Sequence, residues 1–308
     1  MTLRVAVPDL VSPSYFPAIA AVELDCFKQE GLDATVELLF PVTKTYEELR
    51  EGRLDFVAGA AHAPLYAFKN WSGCKLLAAL SRHMYWFLVL RKDLAAKRGD
   101  LGAVKGLRIG AAPGPVDGLK RMLVEAGIDP ERDVSIGPVP GTAGSGVSFG
   151  LVAAKALEEG KLDGFWANGM GAEVAVRGGV GTLVLDARRG DGPAAARDYT
   201  FAALVTTQQK IDAEPDLVAG AVRALVRAQQ VLRQNPARAT EVGKRVFPAT
   251  EAGLIAELIA RDAPYYDPAI APRTVEALNG FARNVGLLSG PAAYEQVVAT
   301  RFQHLWGS

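Results

Sequence analysis

One phrase occurs twice in the chain, and it fixes the class of fold. "LREGRLDFVAGAA", from Leu49 to Ala61, returns as "LEEGKLDGFWANG", from Leu157 to Gly169. The offset is 108 residues and aligns Glu51 with Glu159, Gly52 with Gly160 and Asp55 with Asp163. In each copy the glycine stands where a helix must stop, because it enters the left-handed region at little steric cost. The apolar run after the aspartate reads as the next strand. A second pair, "LRVAV" closed by Pro8 and "LRIGA" closed by Pro113, repeats a strand–loop–helix order 104 residues apart. Strands alternating with helices of this length build mainly parallel sheets flanked by helices. Two copies predict an α/β chain of two lobes, and 308 residues suffice to give each its own core.

The lobe boundaries follow from the segments between the copies. "HMYWFLVLRKDL" (His83 to Leu94) is an uninterrupted strand pattern that leads out of the first half. After the loop "ARRGDGPAAARD", the strand pattern "YTFAALVTT" (Tyr199 to Thr207) returns the chain to the first sheet. Lobe 1 is expected over residues 1–90 and 199–308, with lobe 2, residues 91–198, inserted in it. Behind Pro215, Leu217, Ala221, Leu225, Ala228 and Leu232 recur at helical spacing until Asn235. The further helices that follow are expected to pack on lobe 1.

Composition narrows the partners. The 34 Lys and Arg balance 34 Asp and Glu, so no electrostatic footprint for nucleic acid or an anionic membrane is present. Apolar stretches are strand-length, so no membrane insertion is expected. Two cysteines and three histidines provide too few ligands at workable spacing for a metal site. The spacing is compatible with Cys26 and Cys74 paired or free. "GSGVSFG" (Gly144 to Gly150) places its third glycine one residue late for a dinucleotide fingerprint and has no P-loop Lys, so no cofactor is expected. It can still cradle an anion with backbone N–H groups. "MTLRVAVPDL" has no leader-like charged and apolar regions. The expected location is periplasmic if a leader was removed and cytoplasmic if the Met start is native.

In open α/β sheets small molecules sit beyond the carboxyl ends of strands, where loops and helix N-termini present free donors. Here those loops are "PDLVSPSYF", "GAAHAP", "APGPVDG", "PGTAGSGVS" and "WANG". Asp9 is a candidate acceptor for an amine or ring N–H. Tyr15, Phe16, Tyr66, Tyr85, Trp86 and Trp166 can stack on a flat ring, Ser145 and Ser148 can donate hydroxyls, and His62 and His83 can bind an anion or shuttle protons. No nucleophile elbow, HExxH or paired catalytic carboxylates accompany them.

The motifs "AVELDCFKQEGLDATVEL", "EELREGRLDFVAGAAHAPLYA", "FLVLRKDL", "VKGLRIGAAPG" and "ALEEGKLDGFWANG" carry a resemblance. In their order and spacing the chain resembles the nitrate/sulfonate/taurine substrate-binding proteins of ABC transporters. This is the SsuA/THI5-like, NMT1-like group with the type II periplasmic binding fold, and the likeness runs from Val5 to about Phe281. The resemblance implies a two-lobed clamshell, a ligand held in the interlobe cleft, closure without chemistry, a transporter permease as partner, and a monomer. Carried over by position, the ligand would meet Ser14, Tyr15, Ala61, His62, His83, Tyr85, Gly114, Ser145, Ser148, Trp166 and Asn168. The chain departs from the family pattern at Asp25–Cys26, where glycine and an aromatic are usual. The Pro-rich turn at Gly114 also lacks hydroxyl residues, which favours a flat, partly apolar ligand. The same fold hosts enzymes, including pyrimidine-precursor synthases of thiamin biosynthesis and certain decarboxylases. In that alternative, His62 and His83 would serve as the acid and base.

Overall fold

A computed structural model describes residues 2–142 and 148–307. In chain order the strands are β1 (Leu3–Val7), β2 (Ala34–Leu38), β3 (Phe56–Ala60), β4 (Cys74–Ser81), β5 (Phe87–Arg91), β6 (Arg108–Ala111), β7 (Ser135–Gly137), β8 (Gly164–Ala167), β9 (Gly181–Asp186) and β10 (Ala202–Thr207). The helices are α1 (Phe16–Glu23), α2 (Cys26–Gln29), α3 (Val42–Arg50), α4 (Pro115–Glu125), α5 (Phe149–Glu158), α6 (Gly169–Arg177), α7 (Gln208–Ala213), α8 (Pro215–Gln234), α9 (Arg238–Val246), α10 (Ala249–Asp262), α11 (Pro272–Asn284) and α12 (Tyr294–Val297). Proline opens α4, α8 and α11, where its missing N–H has no helical partner to lose. Helix α8 ends at Asn235, as the Asn-Pro step requires.

The chain divides into two units, Met1–Arg82 with Phe201–Ser308, and His83–Thr200. The first holds the sheet β2-β1-β3-β10-β4, the second the sheet β7-β6-β8-β5-β9. Each is mainly parallel with one reversed strand. β10 runs antiparallel to β3 and β4, and β5 runs antiparallel to β8 and β9. Strands β3, β4 and β5 are almost wholly buried, as sheets covered by helices on both faces demand. The return of residues 202–207 to the first sheet matches expectation. The expected boundary at residue 90 does not hold, because Phe87–Arg91 pairs with β8 and β9 and so belongs to the second unit. The strand pattern is also shorter than expected, since residues 83–86 lie outside β5.

The repeated phrase builds the same joint in both units. Gly52 and Gly160, at φ +72° and +68°, end α3 and α5 in the left-handed conformation. The next N–H, of Arg53 or Lys161, reaches back to the carbonyl of Glu48 or Ala156. Two residues on, the Asp55 carboxylate accepts the Arg4 N–H at 2.8 Å and Asp163 accepts the Arg108 N–H at 2.9 Å. In return Asp55 N–H donates to Arg4 O and Asp163 N–H to Arg108 O. Each aspartate has a further cation: Lys210 lies 2.6 Å from Asp55, and Arg91 and Arg108 flank Asp163. The joint pins the repeated helix-to-strand turn to the neighbouring parallel strand, β1 in the first sheet and β6 in the second.

Two close approaches position the rest. In the second unit α5 crosses α6 at Gly150 and Gly171, where a Cβ on Gly171 would stand 2.5 Å from Gly150 O. In the first unit the outer edge of β4 is covered by the C-terminal segment. Leu76 bridges Val298, Leu76 O accepts the Ala299 N–H, and Leu77 O accepts the Trp306 indole N–H. Such cover removes a template for pairing with another chain. Cys26 and Cys74 are both buried and free, and burial pushes the Cys74 thiol up to about 12.

The Arg108 guanidinium holds the Asp163 carboxyl down at about 2. A carboxyl lowered on folding adds stability that is complete above its unfolded value near ~4 and is lost as pH falls toward ~2. Asp163→Asn is therefore expected to lose about 1 kcal/mol at neutral pH, since Arg108 is half exposed. It should also flatten the acid limb in urea unfolding measured across that range. Gly171→Ala is expected to destabilise by about 2 kcal/mol, because backbone cannot move aside. Gly253→Ala on α10, with nothing within 4 Å of its added Cβ, is expected to stabilise by about 0.5 kcal/mol. Thermal unfolding of the two variants checks both signs.

Candidate functional site

In the first unit, the carboxyl ends of β1, β3 and β4 lie on one sheet edge because these strands run parallel. The loop after β1 is folded by its own side chains. Asp9 is buried and accepts the Val11 N–H at 2.9 Å, the geometry of an Asx turn. Tyr15 caps α1, its N–H bonded to Ser12 O, and Tyr266 donates its hydroxyl to Pro13 O at 2.6 Å. Ser14 is buried in the same loop. Burial raises the Tyr46 phenol well above its usual range, and the nearby Tyr15 adds to the shift. After β3, the Ala61 N–H donates to Phe201 O, and His62 begins the short helix Ala63–Tyr66. The His62 ring is wholly buried, 5.3 Å from Phe281 in an edge-to-face contact.

Two residues on this edge escaped the sequence reading. Ser12 in the β1 loop and Ser81 at the end of β4 are fully buried, and neither hydroxyl has a partner among the described residues. The two segments converge on one stretch of chain. Tyr265 O accepts the Arg82 N–H, while its neighbour Tyr266 holds Pro13. Serines in strand-end loops were the available signal; which ones are buried without partners is set only by tertiary packing.

In the second unit, the carboxyl ends of β6, β8 and β9 meet the start of the reversed strand β5. Register pairs Phe87 with Ala167, which sets Tyr85 and Trp86 beside the turn that contains Asn168. Tyr85 and Trp86 have ring centroids 4.7 Å apart, and Trp86 lies 6.3 Å from Trp166. All three rings are buried, and the Trp166 indole N–H donates to Pro115 O at 3.0 Å. Gly114 precedes α4 at φ +88°, ψ −70°, a backbone that excludes other residues. Asn168 caps α6, its Oδ1 accepting the N–H groups of Met170 and Gly171. Ser148 precedes α5 as its half-buried N-cap residue. Ser145 falls outside the described residues.

Aspartate and arginine complete this edge, again unanticipated. Asp186 ends β9 opposite Phe87, and the buried Arg188 guanidinium sits 3.4 Å from its carboxylate and 4.8 Å above the Phe87 ring. Arg189 shares the same carboxylate at 3.6 Å. The adjacent arginines in "DARRGD" were the signal.

His83 stands apart from this group. Asp198 Oδ1 is 2.7 Å from its Nδ1 and Arg197 Nη2 is 2.8 Å from its Nε2, so both ring nitrogens are engaged. A groove of about 580 Å³ at the opposite, amino edge of the second sheet is lined by Arg91, Lys92, Asp93 and Glu158 among others, and by none of the expected site residues. Among the described residues no helix is long and apolar enough to cross a membrane, and no cluster of three or more His, Cys, Asp or Glu is placed to hold a metal.

No curated protein sequence matches the chain. Solved structures do. The periplasmic nitrate-binding protein NrtA from Synechocystis PCC 6803 aligns with a TM-score of 0.74 at 16% identity, covering 99% of this chain and 87% of that one. The alkanesulfonate-binding protein SsuA from Xanthomonas axonopodis pv. citri, bound to MOPS, aligns with a TM-score of 0.71 at 14% identity, covering 98% and 97%. The desulfurization enzyme DSZB aligns at 0.68 and 17%, covering 98% and 97%. At these identities the likeness is one of fold, that of the type II periplasmic binding proteins. Residues 11–246, most of the chain, match the NMT1-like family, and the chain belongs to that family.

Proposed function

We propose that this protein is a solute-binding component of an ABC-type importer, working outside the cytoplasm, and that it takes a small, flat, anionic ligand at the carboxyl edge of the second sheet. The observation that carries the reading is the buried group Tyr85, Trp86 and Trp166 gathered at the carboxyl edge of the second sheet, beside the starts of α4 and α6. Rings in that setting wall the edge with rigid aromatic surface, and the neighbouring helix starts favour negative charge. Kinship of fold with nitrate- and sulfonate-binding proteins agrees with an oxyanion group on the ligand. Three titratable groups are engaged within the protein: His83 by Asp198 and Arg197, Asp9 in part by its turn, and Asp186 by Arg188. That favours capture over catalysis.

The second reading is an enzyme on the same fold, favoured by the likeness to a desulfurization enzyme and by the buried His62 at a strand end. One measurement separates the two. The protein is incubated with aryl- and alkanesulfonates, aromatic carboxylates and nitrate, captured, and its bound fraction weighed by mass spectrometry. A compound retained and released at unchanged mass is the expected result. A compound returned at a new mass replaces the importer reading with the enzyme, and retention of none of these classes rejects the ligand assignment.

Ser12→Ala and Ser81→Ala are each expected to hold or raise stability, because each change removes an unpartnered buried hydroxyl. Thermal unfolding of the two variants checks this. Trp166 and His62 are poor probes of binding, since truncating a fully buried side chain of that size costs about 3 kcal/mol of stability.

A further inference from the structure

We infer that His83 is a proton-sensitive latch joining the two segments that link the units. The chain leaves the first unit at Arg82 and re-enters it at Phe201. Arg82 is anchored within the first unit: its N–H donates to Tyr265 O at 2.8 Å and its guanidinium pairs with Asp267. One residue later the anchors belong to the second unit. The Met84 N–H donates to Arg197 O at 2.9 Å, and the His83 ring lies between Arg197 and Asp198. Beyond the sheet pairing of Ser81 with Ala202, the His83 ring and the Met84–Arg197 backbone bond tie the outgoing and returning segments together.

The chemistry of the ring fixes its protonation state. A guanidinium has donors and no acceptor. Nε2, 2.8 Å from Arg197 Nη2, must therefore accept, which leaves the single ring proton on Nδ1, donated to Asp198. The arrangement exists only with neutral imidazole. A proton taken from solvent onto Nε2 removes the acceptor and sets one cation against another. The bond from Nδ1 to Asp198 survives as a charge-assisted one. Protonation of the ring releases Arg197 and keeps Asp198. The ring is 19% exposed, so solvent protons reach it.

Arg82 is held by Asp267, and on α4 Arg121 pairs with Glu125 while both act on Tyr199, the residue after Asp198. His83 also sits at φ +64°, a left-handed backbone disfavoured for any residue with a Cβ. The clamp holds that conformation, so loosening it changes the segment where the chain leaves one unit for the other.

The test uses the full chain and no ligand, so its outcome is independent of the transport reading. Imidazole nitrogen NMR at about pH 8 is expected to show the Nδ1–H tautomer for His83. On lowering pH to about 5, amide exchange over residues 83–86 and 197–200, corrected for its intrinsic pH dependence, should rise about threefold relative to the strands. His83→Gln keeps one acceptor and one donor but cannot gain a proton, and its exchange should not respond. Arg197→Met should be fast at both pH values, and serves where His83→Gln folds poorly. An Nε2–H tautomer at the higher pH, an unchanged wild-type exchange pattern, or a pH response that persists in His83→Gln would overturn the latch.

Discussion

Both sheets depend on the main-chain hydrogen bonds of one strand that runs against the others. Without β10, the parallel set β2-β1-β3 and the strand β4 have nothing between them. Without β5, β9 is likewise cut off from β7-β6-β8. In each case the reversed strand follows a passage between the units, so the link between them and the completion of each sheet are the same event. The pairing of β10 with β3 and β4 spans more than a hundred residues of chain, a long closure whose entropic cost is set by sequence separation.

The reversed strands also decide what gathers at each edge. Because β5 starts where β6, β8 and β9 end, the aromatic residues before it fall beside the turns after them. Had β5 been parallel, Tyr85 and Trp86 would lie at the amino edge, beside the Asp163 joint. The two joints, Asp55 with Arg4 and Asp163 with Arg108, hold the amino edges by bonds to backbone and leave the opposite edges to loops. Stability and the proposed ligand chemistry thereby fall at opposite ends of the same strands.

Much of this was legible in the sequence, for reasons that can be named. Gly52 and Gly160 with their aspartates announced the repeated joint, because a helix stop followed by an apolar run has a strong local signature. The strand ends that carry Asp9, Ala61, Gly114 and Asn168 followed from the same local grammar. The boundary did not. The run from His83 to Leu94 declares a strand, yet which sheet it joins depends on partners at Gly164–Ala167 and Gly181–Asp186. Side-chain occupations were hidden for the same reason. His83 looks like a site histidine until Arg197 and Asp198, more than a hundred residues on, take its nitrogens. Asn168 carried a readable sign, an asparagine just before a helical run, and its cap on α6 is what that sign means.

The insertion of one unit in the other sets an order of completion on the ribosome. Residues 83–200 are contiguous, so a growing chain holds every strand of the second unit before β10 exists. The first unit must wait. Its strands β3 and β4 keep open edges until Thr207 has emerged, and the outer edge of β4 stays bare until Val298, Ala299 and Trp306 arrive. The nascent protein therefore exposes a pairing-competent strand until residues 298–306 have emerged.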